Sequence, residues 1–288
     1  MTLIPDLLAA GRTWSIEFFP PRDADAERQF AASVQELTEL GPSFASVTYG
    51  ALGSTKARTR DIVVDMNAQL PFPTMAHLTC VGHTRAEIIE LLDHYARHGV
   101  DNILALGGDP PQDGSRPRGD FRHAVELVEI IRAHPGDFAV AVAAHPEVHP
   151  RSASRAEDRR HLAEKLEAAD FAITQFFFDV DHYLRLVDEL AALGCDRPVI
   201  PGVMPFVSAE GLRRMTVLNA TDIPDPLADR LNRCADSRAV TDLGVATAGE
   251  LCRQLIDAGA PGVHLYTLNR ASSVRRVHAA LALDDVRR

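Results

Sequence analysis

Nowhere in its 288 residues does the chain carry an apolar run near the roughly 18 residues that a membrane-spanning helix needs. That excludes a helical membrane protein. The start, Met1-Thr2-Leu3-Ile4-Pro5-Asp6-Leu7-Leu8, lacks a basic segment and brings in Pro and Asp early, so it does not read as a signal peptide. Cysteine is sparse: Cys80, Cys195, Cys234 and Cys252 are widely scattered without C-x-x-C spacing. This argues against a disulfide framework or a zinc site and fits a reducing cytoplasm. Lysine is nearly missing, with Lys56 and Lys165 the only two and arginine supplying the other basic side chains. With abundant alanine, that skew points to a GC-rich genome and bears on source rather than chemistry. A net charge of −10 disfavours nucleic acid or an anionic membrane as partner, so an anionic ligand needs a local arginine cluster. There is no P-loop and no low-complexity linker. The place after the first strand where a dinucleotide fold puts G-x-G-x-x-G holds Phe18-Phe19-Pro20-Pro21-Arg22 instead.

What is present is rhythm. The chain is 46% hydrophobic, enough for a substantial core. Apolar, β-rich runs recur at Trp14–Phe19, Phe44–Tyr49, Thr74–Cys80, Asn102–Leu106, Phe138–Ala144, Phe171–Phe177, Pro198–Met204 and Gly262–Leu268. Helical periodicity fills the intervals, as in Ala86–His98, Phe121–Arg132, Arg155–Ala169 and His182–Leu193. Alternating strand and helix imply parallel strands with helical crossovers. Eight such units predict an α/β (β/α)8 TIM barrel, with a doubly wound open sheet as the runner-up. Residues 1–288 read as one domain, and Ser208–Gly259, too long for one helix, as extra helices before the last strand.

In such a barrel, chemistry collects at the C-terminal strand ends. Those ends carry Glu17, Thr48-Tyr49, His77 and Thr79, Asp109, His145, Gln175, Met204-Pro205-Phe206 and Tyr266 through Arg270, while the strand interiors are apolar. Glu17, flanked by Ile16 and Phe18-Phe19, is placed where burial resists ionisation, which suits a proton donor. Its plainer reading is a strand-end carboxylate paired with Arg22 or facing solvent. Gly107-Gly108-Asp109 combines backbone that can approach a flat ligand with an acceptor for paired N–H groups, or is simply a capped turn. Gln175 can donate to and accept from a heterocycle edge, or bond neighbouring backbone. Phe176–Phe178 read as core. His145 and His149 have the spacing of a helical metal pair, but prolines interrupt that helix and no third ligand stands beside them, so no metal is expected. Cys80 near His77 reads as inert packing, and no nucleophile-elbow motif supports serine chemistry.

These strand-end motifs, Ser15–Arg22, Ser46–Ala51, Ala76–Cys80, Ala105–Pro111, Ala143–Pro150, Ile173–Asp179, Ile200–Pro205 and Tyr266–Arg270, resemble methylenetetrahydrofolate reductase in its short bacterial form. The resemblance spans nearly the whole chain and implies the same barrel. It also implies reduction of 5,10-methylenetetrahydrofolate to 5-methyltetrahydrofolate, in which protonation of N10 opens a 5-iminium that hydride reduces. By the same resemblance Glu17 is the general acid. Asp109 and Gln175 hold the pterin, Asp109 also favouring the cationic iminium, and Arg270 receives the glutamate tail. The family's second stacking phenylalanine falls on Ala209, leaving Phe206 as the candidate substitute. Thr48, His77 and Gly108 match cofactor contacts, with His145 beside them.

Most of the family relays hydride through FAD, and here the sequence departs from the pattern. Leu-Arg-Gly-Asp becomes Leu106-Gly107-Gly108-Asp109, and Ala-Tyr-Pro-Glu-Val-His becomes Ala144-His145-Pro146-Glu147-Val148-His149. The family's Tyr-Ala falls near Asp120-Phe121, and its Asn and Arg/Lys cluster near His161, Glu164 and Lys165. Lost positive charge and added carboxylates repel a pyrophosphate. The expectation is therefore direct hydride transfer from NADH, ahead of NADPH, with FAD absent. The alternatives are an FAD-dependent reductase of the same substrate and a non-catalytic folate-binding barrel. A metal-dependent barrel hydrolase ranks lower, for want of ligands.

Overall fold

A computed structural model describes residues 2–49, 53–108 and 119–281, with residues 53–56 described by backbone alone. The strands are β1 (Thr13–Phe18), β2 (Phe44–Val47), β3 (Thr74–Thr79), β4 (Asn102–Leu106), β5 (Ala139–Ala144), β6 (Phe171–Phe176), β7 (Val199–Val203) and β8 (Gly262–Tyr266). Each pairs in parallel with the next, and β8 closes on β1 to complete the expected barrel. The crossover helices are α2 (Ala24–Thr38), α3 (Gly53–Gln69), α4 (Arg85–Arg97), α5 (Ala124–Ala133), α6 (Arg155–Ala168) and α7 (Val180–Ala192), and α11 (Ala271–Leu281) follows β8. Side-chain caps start several of them where the sequence supplies an oxygen: Asp23 accepts from Ala26 N at 2.8 Å, and Thr84 and Glu87 cap α4 reciprocally. Ser208–Gly259 forms α8 (Ala209–Asn219), α9 (Asp225–Asn232) and α10 (Ser237–Asp257), the extra helices expected before the last strand.

Successive strand residues point to opposite faces, and the chain uses this strictly. Trp14, Ile16 and Phe18 of β1 face outward, in one core with Ala45, Val47, Ile103, Val140 and the inner faces of the helices. Phe44, Met75, Leu104, Ala141, Phe171, Ile173 and Ile200 face inward and fill the lower lumen. One element escaped the sequence reading: α1 (Ile4–Ala10) brings Ile4 into that lumen cluster. It is tied there by Ile4 N donating to Asn102 Oδ1 at 2.8 Å. A third cluster, with Phe206, Leu212, Leu227, Leu231, Val240 and Leu243, packs α8–α10 beside the upper end of β6 and β7. Among the described residues no helix is long and apolar enough to cross a membrane. All four cysteines are free.

Candidate active site

The inward residues change character toward the C-terminal ends of the strands. On β1 they are Ser15 and Glu17, in register with His264 and Tyr266 of β8. Ser15 Oγ lies 2.7 Å from His264 Nδ1. The other ring nitrogen, Nε2, lies 3.4 Å from both Ser46 Oγ and Glu17 Oε2. From the far side His77 Nε2 also approaches Glu17 Oε2, to 3.4 Å, and makes no hydrogen bond among the described residues. Two imidazoles therefore bracket one carboxylate. Full burial pushes His77 down to about 4, against the pull of the Glu17 charge and with a further push from His264. His77 is thus a neutral ring at ordinary pH. When the Ser15 hydroxyl donates to Nδ1, the His264 Nε2–H faces Glu17; the other tautomer offers Glu17 a lone pair.

The setting of Glu17 differs from the one its neighbours in sequence suggest. Ile16 and Phe18 lie on the opposite face of the strand, packed toward the helices, with the Phe18 ring 5.5 Å from that of Phe30. Arg22 is exposed on the surface. The side chains around the Glu17 carboxylate are the histidines, and its side chain retains 14% exposure at the mouth of the lumen.

Across the lumen, Gln175 is aimed by an irregularity. β6 and β7 are in register at Ile173–Ile200 and again at Phe176–Gly202, so β6 has an extra residue between them. Such a bulge re-aims a side chain. It is held from two sides: Gly202 N donates to Thr174 Oγ1 at 2.9 Å, and Tyr266 OH donates to Thr174 O at 2.6 Å. Burial raises the Tyr266 phenol well above its ordinary range, so it stays a donor. The tyrosine reaches β6 by crossing Gly202, where a Cβ would stand 2.3 Å from Thr174 O and 2.7 Å from the Tyr266 ring. Only glycine permits that crossing.

Glu17, Thr48, Gln175, Met204, Tyr266 and Leu268 share one cavity of about 210 Å³, together with Phe19, Met215 and Asn219. Gly108, two residues beyond β4, has φ +82°, with Val81 and Thr79 so close that a side chain would crowd them. Asp109, its expected pterin contact, lies outside the described residues. Phe206 is buried at 1% exposure in the α8–α10 cluster and does not line the cavity; Met204, Met215 and Leu268 supply the apolar wall there. Arg270 is exposed immediately beyond β8. His145 shares a small void with Gln175 and Thr221. Its ring is pushed down to about 3 by burial first and then by His149 and nearby cations, so it too is neutral.

The β5–α6 loop bearing His145 is organised by Arg159, which is 2% exposed. Its guanidinium pairs with Asp158 and Glu189 and donates to the carbonyls of His145, Pro146 and Glu147. Asp158 is further occupied by His149 N and Ser152 Oγ. Lys165 donates to Ala143 O at 3.1 Å, while His161 and Glu164 are exposed. Asp120 accepts from Arg85 N at the start of α4, and Phe121 lies buried under the Arg85 guanidinium. Of the polar groups at the positions compared with flavin contacts, Asp120 and Lys165 are thus engaged within the protein. One cation does stand nearby: Arg151 Nη2 lies 3.9 Å from where Gly107 would carry a Cβ. Among the described residues no cluster of His, Cys, Asp or Glu could hold a metal.

The motifs at strand ends made Glu17, His77 and Gln175 visible, but not Ser15, Ser46 and His264. They sit inside what reads as apolar strand, Ser46 in register with Glu17 and the Ser15–His264 pair one layer deeper. Their signal was parity: each is a polar residue two or four positions from another inward-facing polar or apolar lumen residue.

Comparison with known proteins followed the same lines. A family model described as "Methylenetetrahydrofolate reductase" matches residues 4–282. The chain is 36% identical over 261 residues to the 5,10-methylenetetrahydrofolate reductase of Pectobacterium carotovorum subsp. carotovorum, covering 89% of this chain and 86% of that protein. It is 34% identical to "Methylenetetrahydrofolate reductase (NADH) 1" of Zea mays over 95% of this chain, spanning 49% of the plant protein's length. Among solved structures, an uncharacterized protein from Clostridium thermocellum, described as binding two copies of 5-methyl-5,6,7,8-tetrahydrofolic acid, aligns with a TM-score of 0.68. At 14% identity over 99% of both chains, that likeness speaks to the fold alone.

Proposed function

The chain belongs to the methylenetetrahydrofolate reductase family and is an oxidoreductase of that kind; from this premise we propose that it reduces 5,10-methylenetetrahydrofolate to 5-methyltetrahydrofolate with hydride taken directly from NADH. Residues 1–288 act as one domain in this reading. Glu17 gives its proton to N10 as the five-membered ring opens, the N5 iminium forms, and hydride adds to the iminium carbon. Thr48, His77, Gly108 and His145 face the nicotinamide cofactor, Asp109 and Gln175 grip the pterin, and Arg270 stands toward the rest of the folate, with Met204, Met215 and Leu268 in the place expected of Phe206.

The observation that carries this reading is the cavity itself. It joins Glu17, bracketed by two imidazoles, to Gln175 on a bulge aimed from the opposite wall. A binding protein has no need of a partly buried carboxylate in such company, whereas a general acid must be within reach of the proton's destination. A nicotinamide cofactor agrees with the name of the maize relative.

For a resident flavin the fit is poor. Asp120 is engaged at the start of α4 and Lys165 at Ala143 O, the β5–α6 loop is tied into the Arg159 knot, and exposed Glu164 adds a negative charge. Arg151 beside Gly107 leaves one cation for a dinucleotide phosphate without the remainder of a flavin cradle. These contacts support hydride passing straight from nicotinamide to folate.

The test is NADH oxidation with methylenetetrahydrofolate, with and without added FAD, alongside the visible spectrum of the pure protein. Turnover without a flavin band is the expected result; a stoichiometric flavin band or strict FAD dependence overturns the flavin-free part. Glu17→Gln addresses the acid. Turnover should fall by a factor of about 10² or more with folate binding kept, and unchanged turnover removes Glu17 from the chemistry.

A further inference from the structure

The segment that follows Glu17 is fastened by one side chain to which no function has been attached. Thr267 N and Thr267 Oγ1 both donate to Glu17 O, at 3.2 and 2.6 Å. Two residues on, Asn269 grips the Phe19 peptide unit from both sides. Its Oδ1 accepts from Phe19 N at 3.1 Å, and its Nδ2 donates to Phe19 O at 2.8 Å. Asn269 N donates to Thr267 Oγ1 at 2.9 Å, and its own carbonyl accepts from Gln29 and Ser33 of α2. The amide is 4% exposed, so each of these bonds is shielded from competing water.

The backbone is set for the purpose. Leu268 and Asn269 both have left-handed φ, 49° and 53°. Asparagine tolerates that region and leucine does not, which costs about 1–2 kcal/mol unless the surroundings hold it. The turn sends the Asn269 amide back to β1 and leaves Leu268 on the cavity wall beside Glu17. One side chain thus couples the strand carrying the acid to the wall that faces the substrate.

We infer that Asn269 is a positioning residue that sets where the Glu17 carboxyl stands in the cavity. It touches neither substrate nor cofactor and acts through the Phe19 peptide and the end of β1. This rests on Glu17 being the proton donor of the proposed function. An acid held loosely at a strand end loses rate without losing substrate affinity, since misplacement of about 1 Å can cost on the order of 10²-fold.

The experiment uses Asn269→Gly and Asn269→Asp in the full chain, each in the wild-type and the Glu17→Gln background. Glycine keeps the left-handed turn and removes both bonds. Aspartate keeps an acceptor for Phe19 N–H and loses the donor to Phe19 O. Steady-state NADH oxidation with methylenetetrahydrofolate should show kcat lowered about tenfold or more for glycine, with folate KM changed by no more than about twofold. The aspartate variant should lie between. In the Glu17→Gln background the glycine change should cost nothing further, because there is no acid left to position. If Asn269→Gly keeps wild-type kcat while Glu17→Gln has lost it, the inference falls alone. An equal loss in both backgrounds makes Asn269 merely structural and also overturns it. Should the glycine variant fail to fold, the aspartate variant decides: unchanged kcat sinks the inference. If Glu17→Gln itself turns over normally, the acid reading falls and takes this inference with it.

Discussion

The lumen of this barrel is two different places one pleat apart. On β2 the inward residues run from Phe44 to Ser46, on β3 from Met75 to His77, and on β6 from Phe171 and Ile173 to Gln175. Below, the clustered inward side chains meet hydrocarbon, and the polar Asn102 serves to tie α1 into the lumen. Above, polar atoms are bracketed: His264 by Ser15, Ser46 and Glu17, and Thr174 by Tyr266 and Gly202. The contrast separates what holds the barrel shut from what gives it chemistry, within about two residues along the same strand. It also explains why the change in character is abrupt. A buried polar group without a partner costs about 1–3 kcal/mol, so polar side chains either come as a connected set or stay out.

The largest break in the comparison comes from below. Phe171→Ala empties the lower lumen, and unfolding free energy should drop by about 3–5 kcal/mol, read by denaturant titration. The kcat of the folded protein should change little; a large kcat loss at intact folding would mean that the two layers are not separable. Gly202→Ala comes next. A methyl group placed 2.3 Å from Thr174 O must push the Tyr266 tie aside, with about 1–3 kcal/mol of destabilisation from overpacking. Because Gln175 rides on that bulge, folate KM should rise more than kcat falls, and an unchanged KM would detach the bulge from substrate binding.

The third test is a titration confined to the upper layer. Burial holds folded His77 near 4, below its ordinary 6.5. A depressed folded-state value means that the unfolded chain takes up the proton first. The stability is therefore complete above 6.5 and is lost as pH falls through about 4. The melting temperature of wild type minus that of His77→Gln, followed from pH 7 downward, should fall across that window. A flat difference curve would mean that His77 titrates alike in both states.

Much of this division could be read from the sequence, and the part that could not has a physical reason. Eight apolar runs separated by helical periodicity are enough for a closed parallel barrel, because burial on both faces leaves nearly continuous hydrophobic strands. Glu17, His77 and Gln175 stood out since they end such runs. The expected strand ends overshot by one or two residues at β1, β2, β3, β6, β7 and β8, where apolar residues such as Phe19 and Tyr49 continue into the loops. His264 was hidden because a histidine between Val263 and Leu265 looks like packing until the lumen side of β8 is known. Helix α1 was hidden for a similar reason: seven residues are too few for periodicity to speak, and its role as a plug depends on Asn102, distant in sequence. Asn269 resisted for another reason. Its work is done by a turn with positive φ, and nothing in Tyr266-Thr267-Leu268-Asn269-Arg270 announces that turn.

The alternation of β1 has a consequence for how this chain can change over generations. Its strands carry, in effect, a reading frame of two. Deleting a single codon between Thr13 and Glu17 would deliver an isoleucine to the lumen and strand the carboxylate among the helices. The same deletion between Ser208 and Gly259 would leave that frame untouched. Lineages descending from this barrel are therefore free to gain and lose length around α8–α10, while β1 must vary by substitution alone.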